Sequence, residues 1–325
     1  MEASGKTFFR SCPRTYRLCH VSYDTRLMNA FLLLFLCFAL GIVVARFVKT
    51  PPGLVPGLNW WVLHVALPSL VFDLIPRMHF NWQLWFLIIP MWCVFLGAWL
   101  VCAVFGHWFK WSRERIGALT LVAGLGNTAF TGYPLIEALR GQEGLGLAVV
   151  TDQLGCFLAL AAGGITVAAW YSGGKPQPAA IAKRIATFPP FLALILGTVV
   201  GALGGWPEPL TSVFARLGAT LAPLALFSVG MQFTLQLSRE QFGAVGFALA
   251  WKLVAAPLLV LAAGILFHVQ SPVLAVAVLQ AGMAPMISSA ILADQYGLEP
   301  RVANATLGVG ILVSLLTIPL LNQLA

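Results

Sequence analysis

Residues 126–139 read GNTAFTGYPLIEAL and place amide, hydroxyl and glycine residues inside a long apolar region. Pro134 lacks an N–H and clashes with the preceding helical turn, so it ends one helix or begins another. Gly126 and Gly132 allow backbone angles that other residues resist. A broken helix frees backbone N–H and C=O groups, and Asn127 adds a polar side chain to them. The stretch therefore predicts a half-helix up to about residue 125, an unwound link and a second half-helix that starts near Pro134. The N-terminus of that second half-helix carries a partial positive charge, which attracts anions.

The stretch QAGMAPMISSAILADQYG, residues 280–297, has the same character. Its proline can start a second half-helix, and two serines would then lie in the first turn. Two such N-termini that meet inside a membrane would form one anion site. The predicted ligand-binding residues of the two breaks are Asn127, Thr128, Thr131, Tyr133, Pro134, Gln280, Met283, Pro285, Ser288 and Ser289.

Four residues in or near apolar segments are candidates for proton coupling: Asp152, Gln153, Lys252 and Asp294. Ionisable groups are costly inside a membrane, so they are functional candidates. Asp152 is either the carrier of a coupling proton or an interfacial acid with a structural partner. Lys252 is expected to form an ion pair with Asp152 or Asp294, and the alternative is that it attracts an anionic substrate.

The composition is that of a polytopic membrane protein. Of 325 residues, 59% are hydrophobic and 9% are charged, and the mean hydropathy is +0.88. A soluble domain has about 25% charged residues. The apolar runs are continuous rather than alternating, which indicates helices. The net charge of +8 does not indicate nucleic-acid binding, because the basic residues lie singly or in small groups in short loops between apolar runs.

The apolar runs predict ten transmembrane helices in two halves of five. A polar connection near residues 172–187 separates a first repeat, 28–171, from a second repeat, 188–325. The predicted spans are 28–48, 58–76, 83–108, 115–140, 144–171, 188–205, 210–234, 241–268, 272–296 and 301–324. Three prolines recur in the same order in the two halves: Pro68 and Pro223, Pro90 and Pro257, Pro134 and Pro285. Because five spans is an odd number, the second repeat is inverted relative to the first, as in many transporters.

The loop charges predict the orientation. Ten lysines and arginines lie in the loops after the odd-numbered spans and only two lie in the opposite loops. The first side is therefore expected to be cytoplasmic, with both termini outside and the 172–187 loop inside. Residues 1–27 carry five more basic residues and would then lie outside, against the rule. They are interpreted as a non-native extension, with a disordered tail as the alternative.

The chain resembles the auxin efflux carrier family of membrane permeases, which includes plant PIN-formed carriers and bacterial malonate and malate permeases. The stretches that carry the resemblance are LNWWVLHVALPSLVFDL (58–74), GNTAFTGYPLIEAL (126–139), TDQLG (151–155), LAPLALFSVGM (221–231), QAGMAPMISSAILADQYG (280–297) and LGVGILVSLLTIPLLNQL (307–324). The resemblance implies two inverted five-helix repeats with crossed, broken helices four and nine. It also implies a scaffold of spans one, two, six and seven, a moving transport domain and a scaffold-mediated homodimer.

The chain departs from the family at one point. Plant carriers have an asparagine near the second break, where this chain has Met283-Ala284-Pro285, which argues against an auxin-like substrate. The short linker is similar to that of the bacterial members.

The predicted function is secondary transport of small organic anions across the inner (plasma) membrane by an elevator-like alternating-access mechanism. Carboxylates such as malonate or malate are the expected substrates, with auxin-like weak acids as the alternative, and proton coupling and uniport are both open. The alternatives are a channel or a ligand sensor on the same fold. An intramembrane enzyme is disfavoured because the histidines lie mostly near span ends and form no catalytic or metal-ligating cluster. A primary pump is disfavoured unless a partner supplies the ATPase, because the sequence has no glycine-rich nucleotide-binding loop. No cofactor is predicted; the expected partners are the anion and the lipid bilayer.

Overall fold

The computed structural model describes residues 32–78, 81–235 and 237–325. Across these residues the chain is all-helical, as predicted, and contains no strand. One isolated antiparallel bridge joins Gly126 to Pro285. The prediction that residues 1–27 are an extension lies outside the described residues.

The helices follow one another through short connections. The segment Thr128–Tyr171 is helical throughout except at Gly141, whose φ of 68° and ψ of −163° divide it into two helices, 128–140 and 142–171. A positive φ is accessible to glycine at little cost. The helices are α1 (Leu32–Phe47), α2 (Leu54–Arg77), α3 (Trp82–Trp108), α4 (Arg113–Gly124), α5 (128–140), α6 (142–171), α7 (Pro178–Ala186), α8 (Pro189–Ala202), α9 (Glu208–Met231), α10 (Phe242–Leu266), α11 (Val273–Ala281), α12 (Ile287–Gln295) and α13 (Pro300–Leu324).

Membrane-spanning helices dominate the fold. By length and apolar composition, six helical segments of the described chain can cross a bilayer, and the number becomes seven if α7 and α8, which meet at 56°, count as one bent span. The six are Leu54–Arg77, Trp82–Trp108, Thr128–Tyr171, Glu208–Met231, Phe242–Leu266 and Pro300–Leu324. The protein therefore crosses the membrane several times.

Two breaks interrupt apolar segments where the sequence predicted them. The first lies between α4 and α5 and the second between α11 and α12. The restart points differ from the prediction. After the first break the chain becomes helical at Thr128 rather than near Pro134, because Asn127 caps the wide π-helical turn Thr128–Gly132. After the second break helix α12 starts at Ile287, so Pro285 lies within the break.

Helix α13 packs against the second break. A Cβ atom built on Gly310 would overlap Cδ of Pro285 and lie 2.8 Å from its Cγ. A proline ring cannot move out of the way as a flexible side chain can. The close approach of α13 to the break therefore requires glycine at position 310.

We expect Gly310→Ala to destabilise the protein by about 1–3 kcal/mol, the usual cost of overpacking a well-packed interior. The thermal unfolding midpoint in detergent measures this loss. Gly246→Ala is the matched control, because a Cβ atom at Gly246 meets nothing within 4 Å. That control should unfold at the wild-type temperature or slightly above it, since alanine favours a helix by about 1 kcal/mol over glycine. Equal midpoints for both variants would contradict the packing argument.

Candidate functional site

The two breaks are joined by backbone hydrogen bonds. The N–H of Asn127 donates to the carbonyl of Ala284 over 2.7 Å, and the N–H of Met286 donates to the carbonyl of Leu125 over 3.0 Å. Pro285 lies between Ala284 and Met286 and has no N–H that needs an acceptor. Each break thus satisfies backbone groups that the other leaves free, which is a requirement for irregular chain inside a membrane protein.

Asn127 presents an unpaired donor. Its Oδ1 accepts the N–H of Phe130 over 3.2 Å and caps the helix, and its backbone carbonyl accepts the Thr131 hydroxyl over 2.8 Å. The residue is only 2% exposed, yet its Nδ2 has no hydrogen-bond partner. Buried polar groups are nearly always paired. The amide orientation follows from the cap, because only the oxygen can accept a backbone N–H. An acceptor on a bound ligand would complete this site.

Asp152 lies beside the first break at the centre of a buried polar cluster. Its Oδ1 accepts a short hydrogen bond from the Thr128 hydroxyl. Its Oδ2 accepts from the Tyr133 hydroxyl over 2.8 Å and from Nε2 of Gln153 over 2.7 Å. The carboxylate is 4% exposed, and three donors offset the cost of its burial. The structure thus brings together four of the predicted residues.

Lys252 also lies beside the two breaks. Its Nζ donates to the carbonyl of Ala281, the last residue of α11, over 2.9 Å. A Cβ atom on Gly126, which follows α4 by two residues, would lie 2.9 Å from the same Nζ. The C-terminal ends of two half-helices therefore lie close to this side chain, and helix C-termini attract cations.

The predicted ion pair of Lys252 is wrong. Within the described ranges the ion pairs are Arg77–Asp73 at 2.6 Å and Arg115–Glu299 at 2.7 Å. Asp294 is exposed near the end of α12, and Asp152 has its donors elsewhere. The helix breaks supply carbonyl partners to Lys252 that a continuous helix would keep for itself.

Of the four other residues predicted at the second break, one lines a cavity and three do not. Ser288 lies in the wall of a cavity with Asn127. Ser289 donates to the carbonyl of Met286 over 2.7 Å and so closes its own helical turn. Gln280 donates weakly to the carbonyl of Thr128 over 3.4 Å, and its Oε1 has no partner. Met283 is fully buried in the apolar core.

A cavity of about 250 Å³ adjoins the first break. Helix α2 contributes Asn59, Leu63 and Leu67. Its polar and charged lining residues are Asn59, Asn127, Asp152, Arg184 and Ser288. Sequence reasoning missed Asn59 and Arg184. Arg184 was assigned only to a topogenic loop, and no local pattern indicated that α7 would bring it to the breaks.

A second cavity of about 690 Å³ lies on the other side of the Asp152 cluster. It adjoins the C-terminal part of α2, from Leu70 to Arg77, so the two cavities lie toward opposite ends of that helix. Tyr133 and Pro134 line it. The Tyr133–Asp152 hydrogen bond therefore connects a residue of one cavity wall to a residue of the other.

We expect Tyr133→Phe to lower the free energy of unfolding by about 1.5–3 kcal/mol, because a buried carboxylate loses a charge-assisted hydrogen bond. In an Asp152→Asn background the same change should cost only about 0.5–1.5 kcal/mol. The difference is the coupling energy of a double-mutant cycle, measured by denaturant unfolding in detergent. An identical cost in both backgrounds would show that the Tyr133 hydroxyl does not bind the carboxylate.

Comparison with known proteins identifies the family. The family described as membrane transport protein matches residues 26–322, nearly the whole chain. The chain belongs to this family. The family is of the auxin efflux carrier type, so the resemblance noted in the sequence is confirmed.

Three relatives show how far the similarity extends. An uncharacterized transporter of Methanocaldococcus jannaschii is 28% identical over 81% of this chain and 87% of its own length. A protein of Rhizobium meliloti named "Putative malonate transporter" is 27% identical over 86% of this chain and 89% of its own length. The uncharacterized transporter YfdV of Escherichia coli is 26% identical over 81% of this chain and 86% of its own length. The relatives are transporters in name, and none is named as an enzyme.

Proposed function

We propose that the protein is a secondary transporter of small organic anions, with carboxylates such as malonate or malate as substrates. The observation that carries the proposal is the unpaired Nδ2 of buried Asn127 in the wall of the smaller cavity. A carboxylate oxygen is the acceptor that this donor lacks, and the start of α12 at Ile287 adds the partial positive charge of a helix N-terminus. The name of the Rhizobium meliloti relative supports the choice of malonate as the first substrate to test.

The proposed architecture joins α4 with α5 and α11 with α12 as two broken spans. With α8 as the sixth span and α7 in the linker, the chain then has ten spans in two inverted repeats, 28–171 and 188–325, linked by 172–187. The scaffold is formed by spans one, two, six and seven and carries a homodimer contact, while the broken helices move. We place the protein in the inner membrane with both termini outside.

The proposed mechanism is alternating access. Each cavity gives the breaks access to one side of the membrane in turn, and Asp152 carries a coupling proton between them. Asp152 lines the smaller cavity, and its hydrogen-bond partner Tyr133 lines the larger one. A proton on Asp152 would also remove the repulsion between this carboxylate and an anionic substrate in the same cavity.

Counterflow tests the proposal. Proteoliposomes loaded with unlabelled malonate should take up radiolabelled malonate faster than empty ones. The transporter carries internal malonate outward and thereby returns its binding site to the outer side. A channel would instead show conductance and no stimulation by internal substrate. A sensor would bind malonate with no flux. Absence of uptake for malonate, malate and other small carboxylates would overturn the proposed function.

A further inference from the structure

Arg184 is a cation in the wall of the smaller cavity. It lies near the end of helix α7, outside the helix breaks, and it lines the same cavity as Asn127 and Ser288. Neither of the ion pairs in the described part of the chain uses its guanidinium group. An arginine that faces a cavity without an acidic partner is suited to bind an anion there.

The chain around Arg184 holds it at the cavity. Helix α7 meets α8 at an angle of 56°. At this bend the ring of Phe188 stacks on Phe157 of α6, with ring centroids 4.0 Å apart. Both aromatic residues line the cavity beside Arg184. The stacked rings therefore tie the end of α7 to the wall and limit how far the arginine can move away.

The cavity thus offers two separate groups to an anionic ligand. Asn127 provides a neutral, buried N–H donor, and Arg184 provides a planar cation that can bind a carboxylate through two parallel hydrogen bonds. A ligand with a single carboxylate can use one of these groups. A ligand with two carboxylates can use both. The volume of about 250 Å³ lies below the roughly 300–1,000 Å³ of pockets for drug-sized ligands, which favours a short ligand.

We propose that Arg184 binds the second carboxylate of the transported anion and makes the transporter selective for short dicarboxylates over monocarboxylates. The inference rests on the proposed function and assigns a specificity-determining role to a residue of the linker helix. Asn127 then holds the first carboxylate, which is common to both substrate classes.

Lys183 provides a matched control on the same helix. Both side chains carry a positive charge and are exposed, but Lys183 does not line the cavity. A general attraction of anions to the basic surface would involve both residues about equally. Binding of a second carboxylate in the cavity would involve Arg184 alone.

The experiment compares malonate with its monomethyl ester, which keeps the three-carbon chain and has one free carboxylate. Counterflow KM and maximal rate are measured for wild type, Arg184→Gln, Arg184→Lys and Lys183→Gln. We expect Arg184→Gln to raise the malonate KM at least about tenfold, as expected for loss of a charge-assisted pair, with the maximal rate within about threefold. The KM of the ester should stay unchanged. Arg184→Lys should give an intermediate malonate KM, and Lys183→Gln should match wild type.

The outcomes separate this inference from the proposed function. If wild type exchanges malonate and Arg184→Gln keeps the wild-type preference for malonate over the ester, the role of Arg184 is wrong and the transport function stands. Equal effects of Arg184→Gln and Lys183→Gln would overturn it in the same way. If wild type exchanges no small carboxylate, both proposals fail. Malonate-induced stabilisation of the purified variants against heat provides a second readout. It should be weakest in Arg184→Gln, intermediate in Arg184→Lys and equal to wild type in Lys183→Gln.

Discussion

Asn127→Asp should reduce malonate counterflow at least about 100-fold while the protein folds normally. The change keeps the oxygen that caps α5 through the N–H of Phe130, and aspartate caps a helix as well as asparagine does. It replaces the unpaired Nδ2 with a second oxygen, so a donor toward the substrate carboxylate becomes a like charge. Such juxtapositions cost several kcal/mol, and about 3 kcal/mol corresponds to roughly 100-fold.

The residual counterflow of Asn127→Asp should depend on pH. Protonation of the new carboxyl group restores an O–H donor at the same place, so residual counterflow should rise as the pH falls. Asn322→Asp is the matched control, because Asn322 accepts from Arg140 over 2.8 Å and lies outside both cavities. Wild-type counterflow in Asn127→Asp at neutral pH would contradict the assignment of the carboxylate to the first break.

Asp152→Asn should abolish accumulation of malonate driven by a pH gradient and leave exchange within about threefold of wild type. Asparagine has nearly the same volume but cannot bind or release a proton. Its amide N–H can donate to the hydroxyl of Thr128 or Tyr133, because hydroxyl groups rotate and also accept. With one coupled proton, each pH unit across the membrane supports about a tenfold concentration ratio. The variant should therefore equilibrate malonate without concentrating it.

Asp294→Asn is the control for that experiment. Asp294 was also a candidate for proton coupling from the sequence, but it is exposed and lines neither cavity. It should accumulate malonate as wild type does. Continued accumulation by Asp152→Asn would remove Asp152 as the proton carrier. Loss of both accumulation and exchange would instead indicate that the cluster holds the first break in shape and carries no coupling proton.

The sequence was informative where backbone chemistry is local. Proline without an N–H and glycine with wide backbone freedom disrupt a helix wherever they occur together, so both breaks could be predicted. Asn127 was recognisable because an amide beside such a break is a common helix cap. The restart at Thr128 could not be predicted, because it depends on a wide π-helical turn, and π-helical turns lack a simple sequence signal.

The site could be predicted less completely because its contacts join distant segments. The Ala281 carbonyl that binds Lys252 is available only because α11 ends there, so matching opposite charges along the sequence gave the wrong partner. Arg184 reaches the cavity through the bend between α7 and α8, and loop charge alone indicated only topology. By contrast, the pairing of Asp152 with Thr128 and Tyr133 links neighbours of a break that the sequence had already singled out.

The most direct test of the central proposal is substrate protection of a cysteine placed at the breaks. Ser288 lines the smaller cavity with Asn127, so Ser288→Cys can be modified by a small charged thiol reagent, and mass spectrometry measures the rate at that residue alone. Malonate bound between the breaks should slow the modification, with half-maximal protection at the concentration that half-saturates counterflow. If counterflow saturates with malonate while the modification rate of Ser288→Cys stays unchanged, the substrate does not bind in this cavity.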